Sequence, residues 1–241
     1  MPLQMHMFAP KSEWVPPHDL PDLTDAKRIA IDVETRDPHI KSNGPGWATG
    51  DGEVVGYAVA TDTWSGYIPI RHNGGGNLDE KIVNRWLKKV FELKGKICDT
   101  MLIGSLLDEN RFSYSLNALA FDYLDKTKSE KLLNEAAQAF GLDPKSEMYK
   151  MPAMFVGPYA QADAEITLEL YSFFQSKIIT EGVSDIVDLE TRLLPCLIDM
   201  TWRGVRVDLD KAERLRDELL KREKAVLQNI KKLTGMDVEI W

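Results

Sequence analysis

Hydrophobic residues along this chain change period near residue 79. Before it, apolar positions gather in runs of strand length. Arg28-Ile29-Ala30-Ile31-Asp32-Val33-Glu34 is the first, Val54-Val55-Gly56-Tyr57-Ala58-Val59-Ala60 the second, and Trp64 to Ile70 the third, with Thr61-Asp62-Thr63 near the intervening turn. After it, helical spacing dominates. Asp79 to Phe91 reads as a helix, Lys96 to Cys98 as a short strand, and residues 99–107, 114–124, 129–140 and 158–180 as helices. Ser113 or Ser115 can cap the second of these four, and Gly141 suits the end of the third. Pro158 marks the start of the last, since proline is tolerated in a first turn. Gly74-Gly75-Gly76 lacks the Gly-Lys-Ser/Thr ending of a phosphate-binding loop and reads as a flexible connection. Farther on, Leu189, Leu193, Leu197 and Met200 recur at helical spacing up to Arg203-Gly204. Asp210 and Glu213 make an Asp-x-x-Glu variant of the capping box for a final helix, whose stripe is Ala212, Leu215, Leu219, Val226, Ile230 and Leu233. The pattern divides the chain into a loosely ordered, extended arm (1–24), an α/β domain (25–182) and a helical extension (183–241).

Composition narrows the class. The chain has 241 residues, 44% apolar and 28% charged, as expected of a globular protein of one large domain, or one domain with an extension. Cys98 and Cys196 are far apart in apolar contexts and read as free thiols in a reducing compartment. No run reaches the roughly 18 apolar residues of a membrane span, and residues 1–23 lack the apolar core of an export signal. The expectation is a cytoplasmic protein without a membrane partner.

Two carboxylates carry the chemistry. On a strand, side chains alternate faces, so Asp32 and Glu34 point the same way. Paired acids on a core strand repel each other and resist desolvation unless a cation joins them; Mg²⁺ or Mn²⁺, which take oxygen ligands, suit the position. A strand that simply emerges into solvent is the competing reading. On the predicted helix after Pro158, Tyr159 and Asp163 stand four apart and share a face.

Asp-x-Glu on an early strand with Tyr-x-x-x-Asp on a late helix resembles the DEDDy 3′→5′ exonucleases, and more narrowly the N-terminal proofreading domain of bacteriophage-type family A DNA polymerases. Cys98-Asp99-Thr100-Met101-Leu102, Leu107-Asp108-Glu109-Asn110-Arg111, Tyr114-Ser115-Leu116-Asn117-Ala118-Leu119-Ala120, Glu190-Thr191-Arg192-Leu193-Leu194-Pro195 and Arg203-Gly204-Val205-Arg206-Val207-Asp208 extend the resemblance over residues 25 to 235. It implies a ribonuclease-H-like fold: a mixed sheet whose first three strands are an antiparallel meander, flanked by helices, with the extension leading toward a polymerase domain. It implies a two-metal site of Mg²⁺ or Mn²⁺ in which Asp32, Glu34 and Asp163 are ligands and Tyr159 positions the attacking water. Thr35, next after the acidic pair, is available to contact the terminal nucleotide through its backbone or to serve as a plain helix or loop cap. Single-stranded DNA 3′ ends, in a bacterial or phage-infected cell, would be the substrate, and a polymerase domain or chain a partner.

One family element is missing. The second exonuclease motif, a strand and helix carrying a further metal-binding aspartate, would need about 20 residues. The interval from Phe91 to Lys96 cannot hold them, and no Asn-x-x-x-Asp stands there. Asp99 is the nearest substitute ligand; its competing role is a helix N-cap. Asp79-Glu80 suit a helix start, and Asp108-Glu109 lie in a loop. The net charge of −8 argues against broad electrostatic capture of duplex DNA. It is compatible with a nuclease whose metals bring positive charge to the phosphate, with Phe112, Tyr114 and Phe155 available for stacking or for the core. Two functional expectations follow: a metal-dependent 3′→5′ exonuclease that proofreads, or a catalytically impaired relative that binds DNA ends or braces a polymerase.

Overall fold

The structure, a computed structural model, describes residues 9–91 and 95–239. Three strands, β1 (Ala30–Arg36), β2 (Glu53–Ala60) and β3 (Ser65–Pro69), form a sheet in the order β1-β2-β3, antiparallel throughout. Two short helices, α1 (Ile40–Asn43) and α2 (Gly46–Thr49), lie in the β1–β2 connection. They are followed after the sheet by α3 (Glu80–Phe91), α4 (Thr100–Leu107), α5 (Leu116–Leu124), α6 (Lys131–Phe140), a 3-10 turn (Met148–Lys150), α7 (Ala153–Thr180), α8 (Ser184–Arg203) and α9 (Leu209–Thr234).

The two faces of the sheet bury different residues. One presents Ala30, Ala58, Ala60 and Tyr67 to Phe155, Val156, Ala160 and Ala164 of α7 and to Leu133, Ala136 and Ala137 of α6. The other presents Val59 and Ile68 to Val83, Trp86, Leu87 and Val90 of α3. Side chains two residues apart share a face, so Asp32 and Glu34 stand on the α7 side with Ala30. Alanines dominate that interface from both elements, and their small side chains let α7 approach the sheet closely. The second half of α7 packs Ile166, Leu170, Phe174 and Ile178 against Ile103 of α4 and Leu119 and Ala120 of α5.

Most predicted elements form within two residues of their expected bounds. The strand expected over Lys96 to Cys98 is not formed. Ile97 is exposed there, and Lys96 is drawn to Asp188 at 2.6 Å, so among the described residues the sheet has no parallel member. Residues 92–94, within the interval that was expected to be too short for the second motif, lie outside the described residues.

α7 starts five residues before Pro158, which sits inside the helix. A proline there removes the N–H that would bond the Met154 carbonyl; the Ser12 hydroxyl donates to that carbonyl instead, at 2.7 Å. Trp14 packs where a side chain at Gly157 would project, and the Trp86 indole N–H donates to the Pro21 carbonyl at 2.6 Å. The arm is therefore extended but docked, and not loose over residues 9–24; residues 1–8 lie outside the described residues.

The glycine run is a turn wedged against α7. A Cβ at Gly74 would lie 2.2 Å from the Pro152 nitrogen, Gly75 and Gly76 have φ of 90° and 83°, and the Ala153 N–H donates to the Gly75 carbonyl. The last helix is capped by Asp208, whose side chain accepts from the Lys211 N–H, and not by Asp210.

The chain divides into two compact units, 1–202 and 203–241. The first includes α8, which the sequence reading had placed in the extension. Val183 and Val187 pack into the α4–α5–α7 cluster, and Asp188 pairs with Lys96. In the second unit α9 presents Leu215, Leu219, Val226 and Leu233 to solvent. No described helix is long and apolar enough to cross a membrane.

Candidate active site

Four of the predicted site residues converge where β1 meets α7. Carboxylate oxygens of Asp32, Glu34 and Asp163 all lie within 4.8 Å of one another. Asp32 and Glu34 are half-buried, opposite Ala58 and Gly56 of β2, and Asp163 is buried. Helical spacing of four puts Tyr159 beside Asp163 and sets both against the sheet through the intervening buried Ala160 and the adjoining Ala164. The pairing of β1 with β2 slips between Glu34 and Thr35, a bulge that ends the run of paired acids. Thr35 follows it, exposed beside the acids.

Burial and mutual repulsion hold the acids of the cluster above their ordinary pKa values. Burial, reinforced by the charge of Asp163, raises Asp32 to about 6. Burial, with Asp32 and Asp163 adding repulsion, raises Glu34 to about 8. Burial also raises Asp163, opposed by its hydrogen bond from Lys128, and raises the Tyr159 phenol above its ordinary range.

Lys128 was not foreseen from the sequence. Its Nζ donates to Asp163 Oδ2 at 2.8 Å and lies 2.6 Å from Oδ1; the two side chains are only 6% and 7% exposed. The same ammonium sits 4.4 Å from the centre of the Tyr159 ring and 3.3 Å from its hydroxyl. Below Glu34, Tyr67 fills the space left by Gly56, where a Cβ would come within 2.2 Å of the phenol oxygen. The Met151 carbonyl accepts from His72 Nδ1 at 3.0 Å, which leaves Nε2 to accept from the Tyr67 hydroxyl at 2.7 Å. Burial lowers His72 to about 4, so this support is neutral.

The donor set fits a divalent metal. Three carboxylates whose oxygens lie within 4.8 Å of one another offer hard oxygen ligands, and burial raises the pKa values of all three, which a divalent ion would offset. The remaining predicted acids are elsewhere. Asp99 caps α4, accepting from the N–H groups of Met101 and Leu102, and is not in the cluster. Asp79 caps α3 through Lys81 and Ile82, and Asp108 accepts from the Asn110 N–H. Phe155 is core, the Tyr114 hydroxyl donates to the Asp108 carbonyl, and Phe112 is fully exposed.

Comparison with known proteins bears on the family and the fold. Residues 84–179 match the DNA polymerase A family described as 3'-5' exonuclease. A DNA-directed DNA polymerase of Pseudomonas phage M6 is 34% identical over 263 residues, covering 95% of this chain and 40% of the phage protein. The aligned stretch is longer than the 241 residues here, so the phage protein carries residues with no counterpart in this chain. DNA polymerase DpoZ of Vibrio phage phiVC8 is 41% identical over 106 residues, covering 42% of this chain and 17% of that protein. DNA polymerase I of Pseudomonas aeruginosa is 26% identical over 223 residues, covering 78% and 23%. The chain thus spans less than half the length of these relatives. Among solved structures, the POL domain of Pol1 from M. smegmatis, in complex with DNA primer-template and dNTP, shares the fold. Its TM-score is 0.55 at 16% identity, covering 90% of this chain and 36% of that one.

Proposed function

We propose that this chain, which carries the 3′-5′ exonuclease domain of the family A DNA polymerases, hydrolyses the terminal phosphodiester at single-stranded DNA 3′ ends in a metal-dependent reaction, as a proofreading activity. The observation that carries the reading is the meeting of Asp32, Glu34 and Asp163 within 4.8 Å, flanked by Tyr159 on the same helix face as Asp163. Lys128 offsets only one of the three buried charges, so in an apolar sheet–helix interface the remaining repulsion calls for a further cation.

Asp32, Glu34 and Asp163 would hold Mg²⁺ or Mn²⁺. When bound, a divalent ion supplies Lewis-acid activation of water and neutralises charge at the scissile phosphate. Tyr159, protonated at neutral pH, offers a hydroxyl that can orient the attacking water. Thr35, at the exposed end of the bulge, offers backbone groups to the terminal nucleotide. Asp99 is occupied as a cap and is not proposed as a ligand. The impaired alternative draws support from the missing second motif, and a polymerase domain or separate chain remains the proposed partner.

Oligonucleotides labelled at either end test the reading. With Mn²⁺ or Mg²⁺, a 5′-labelled strand should shorten stepwise, a 3′-labelled strand should release labelled mononucleotide at once, and EDTA should stop both. Internal cuts, or metal-independent loss, would overturn it. A folded chain that binds the strand without shortening it would favour the impaired alternative.

A further inference from the structure

We propose that Lys128 is a resident cation of this site, so that the chain binds a single divalent ion at Asp32, Glu34 and Asp163. The inference rests on reading the acid cluster as a metal site. Charge balance decides the number of ions. Three ionised carboxylates carry three negative charges. The Lys128 ammonium, buried against Asp163, cancels one of them, and one divalent ion cancels the other two. A second ion would leave excess positive charge in a partly buried site. Among the described residues no fourth carboxylate joins the cluster. Glu130 acts on Asp163 from outside it, with its Oε1 accepting from the Asn117 amide at 3.4 Å.

Lys128 is held in place by its surroundings. The loop that carries it leaves α5 through Asp125, in the left-handed conformation at φ 53°, and the Lys126 N–H donates back to the Ala120 carbonyl. The Lys126 ammonium clamps Glu169 of α7 at 2.6 and 2.7 Å. The loop is thereby tied to the helix that bears Tyr159 and Asp163. The Tyr159 ring then lies beneath the Lys128 ammonium, a favourable placement for a desolvated cation. The lysine would thus supply locally the charge that a second metal ion would otherwise bring, in a chain that lacks the second exonuclease motif.

Counting bound Mn²⁺ tests this without any activity readout. Electron paramagnetic resonance of the free ion, titrated against the whole chain, should give one bound Mn²⁺ in the wild type. Lys128→Met should take up a second ion, or hold the first tighter by roughly tenfold or more. Lys128→Arg, which keeps the charge, should resemble the wild type. Two ions in the wild type, or unchanged count and affinity in a Lys128→Met chain folded by circular dichroism, would overturn the assignment and leave the metal site standing. No binding in the wild type, or binding indifferent to Asp163→Asn, would overturn the metal site and the lysine's role together. If Lys128→Met does not fold, the wild-type count and Lys128→Arg still decide: a second ion in either would sink the proposal.

Discussion

Asp32 and Glu34 oppose the fold that contains them until a divalent ion is bound. Their folded pKa values, about 6 and about 8, lie above their ordinary values because burial and mutual repulsion disfavour ionisation. A raised folded pKa gives a contribution that is fully present below the unfolded pKa and is lost as pH rises through the folded one. The metal-free chain should therefore lose stability from these groups between roughly pH 4 and pH 8, and a divalent ion should restore it. Thermal melts check this: the rise in Tm with Mn²⁺ should be larger at about pH 8 than at about pH 6, and an equal rise would contradict it. Asp32→Asn should raise metal-free stability at high pH by about 1–3 kcal/mol while weakening Mn²⁺ binding. Asp163→Ala is the poorer probe, since leaving Lys128 buried and unpaired costs about 3–5 kcal/mol. The sequence made these acids legible through two simple periods, alternation on β1 and a spacing of four on α7. Lys128 was not legible. Asp125-Lys126-Thr127-Lys128-Ser129-Glu130-Lys131 reads as solvated charge, and only the packed loop shows that one of its lysines turns inward. Tyr67 and His72 were hidden for a related reason: their roles depend on the gap at Gly56 and on a carbonyl from residue 151.

At the scale of elements, local chemistry settles several roles. Asp99 is a cap, so Asp99→Ala should cost about 1 kcal/mol in stability and leave Mn²⁺ affinity unchanged. A fall in affinity would return it to the list of ligands. The Ser12 hydroxyl serves the carbonyl that Pro158 leaves without its helical donor, so Ser12→Ala should lower stability by about 1 kcal/mol in a denaturant melt. No change would mean that water serves equally well. The strands were legible because their β-branched runs match a half-buried sheet, and Ser115 and Gly141 were legible as termini. The start of α7 was not, because a proline normally marks a helix beginning and its tolerance here depends on an arm far away in sequence. The short strand at 96–98 was misread because so short a segment makes a strand only when a neighbour pairs with it.

At the scale of the molecule, sheet, α3 and α7 form the frame, and the site lies where small residues let two layers of that frame meet. The compact unit that ends at Trp202 contains every residue assigned to the site. A chain ending there should keep a cooperative thermal melt and its Mn²⁺ binding, and loss of either would give residues 203–241 a structural part in the site. The family resemblance was legible over residues 25 to 235 because the order of the motifs is kept even where the second motif is missing. What such a site can do was less legible, since that depends on charges brought together only by folding. The most direct measurement is the rate at which a 5′-labelled single strand shortens from its 3′ end as Mn²⁺ is titrated, in the wild type and in Asp163→Asn. The expected result is stepwise shortening that follows metal occupancy in the wild type and falls by orders of magnitude in the variant. Equal rates in the two proteins, or no shortening by a folded, metal-loaded wild type, would contradict the assignment.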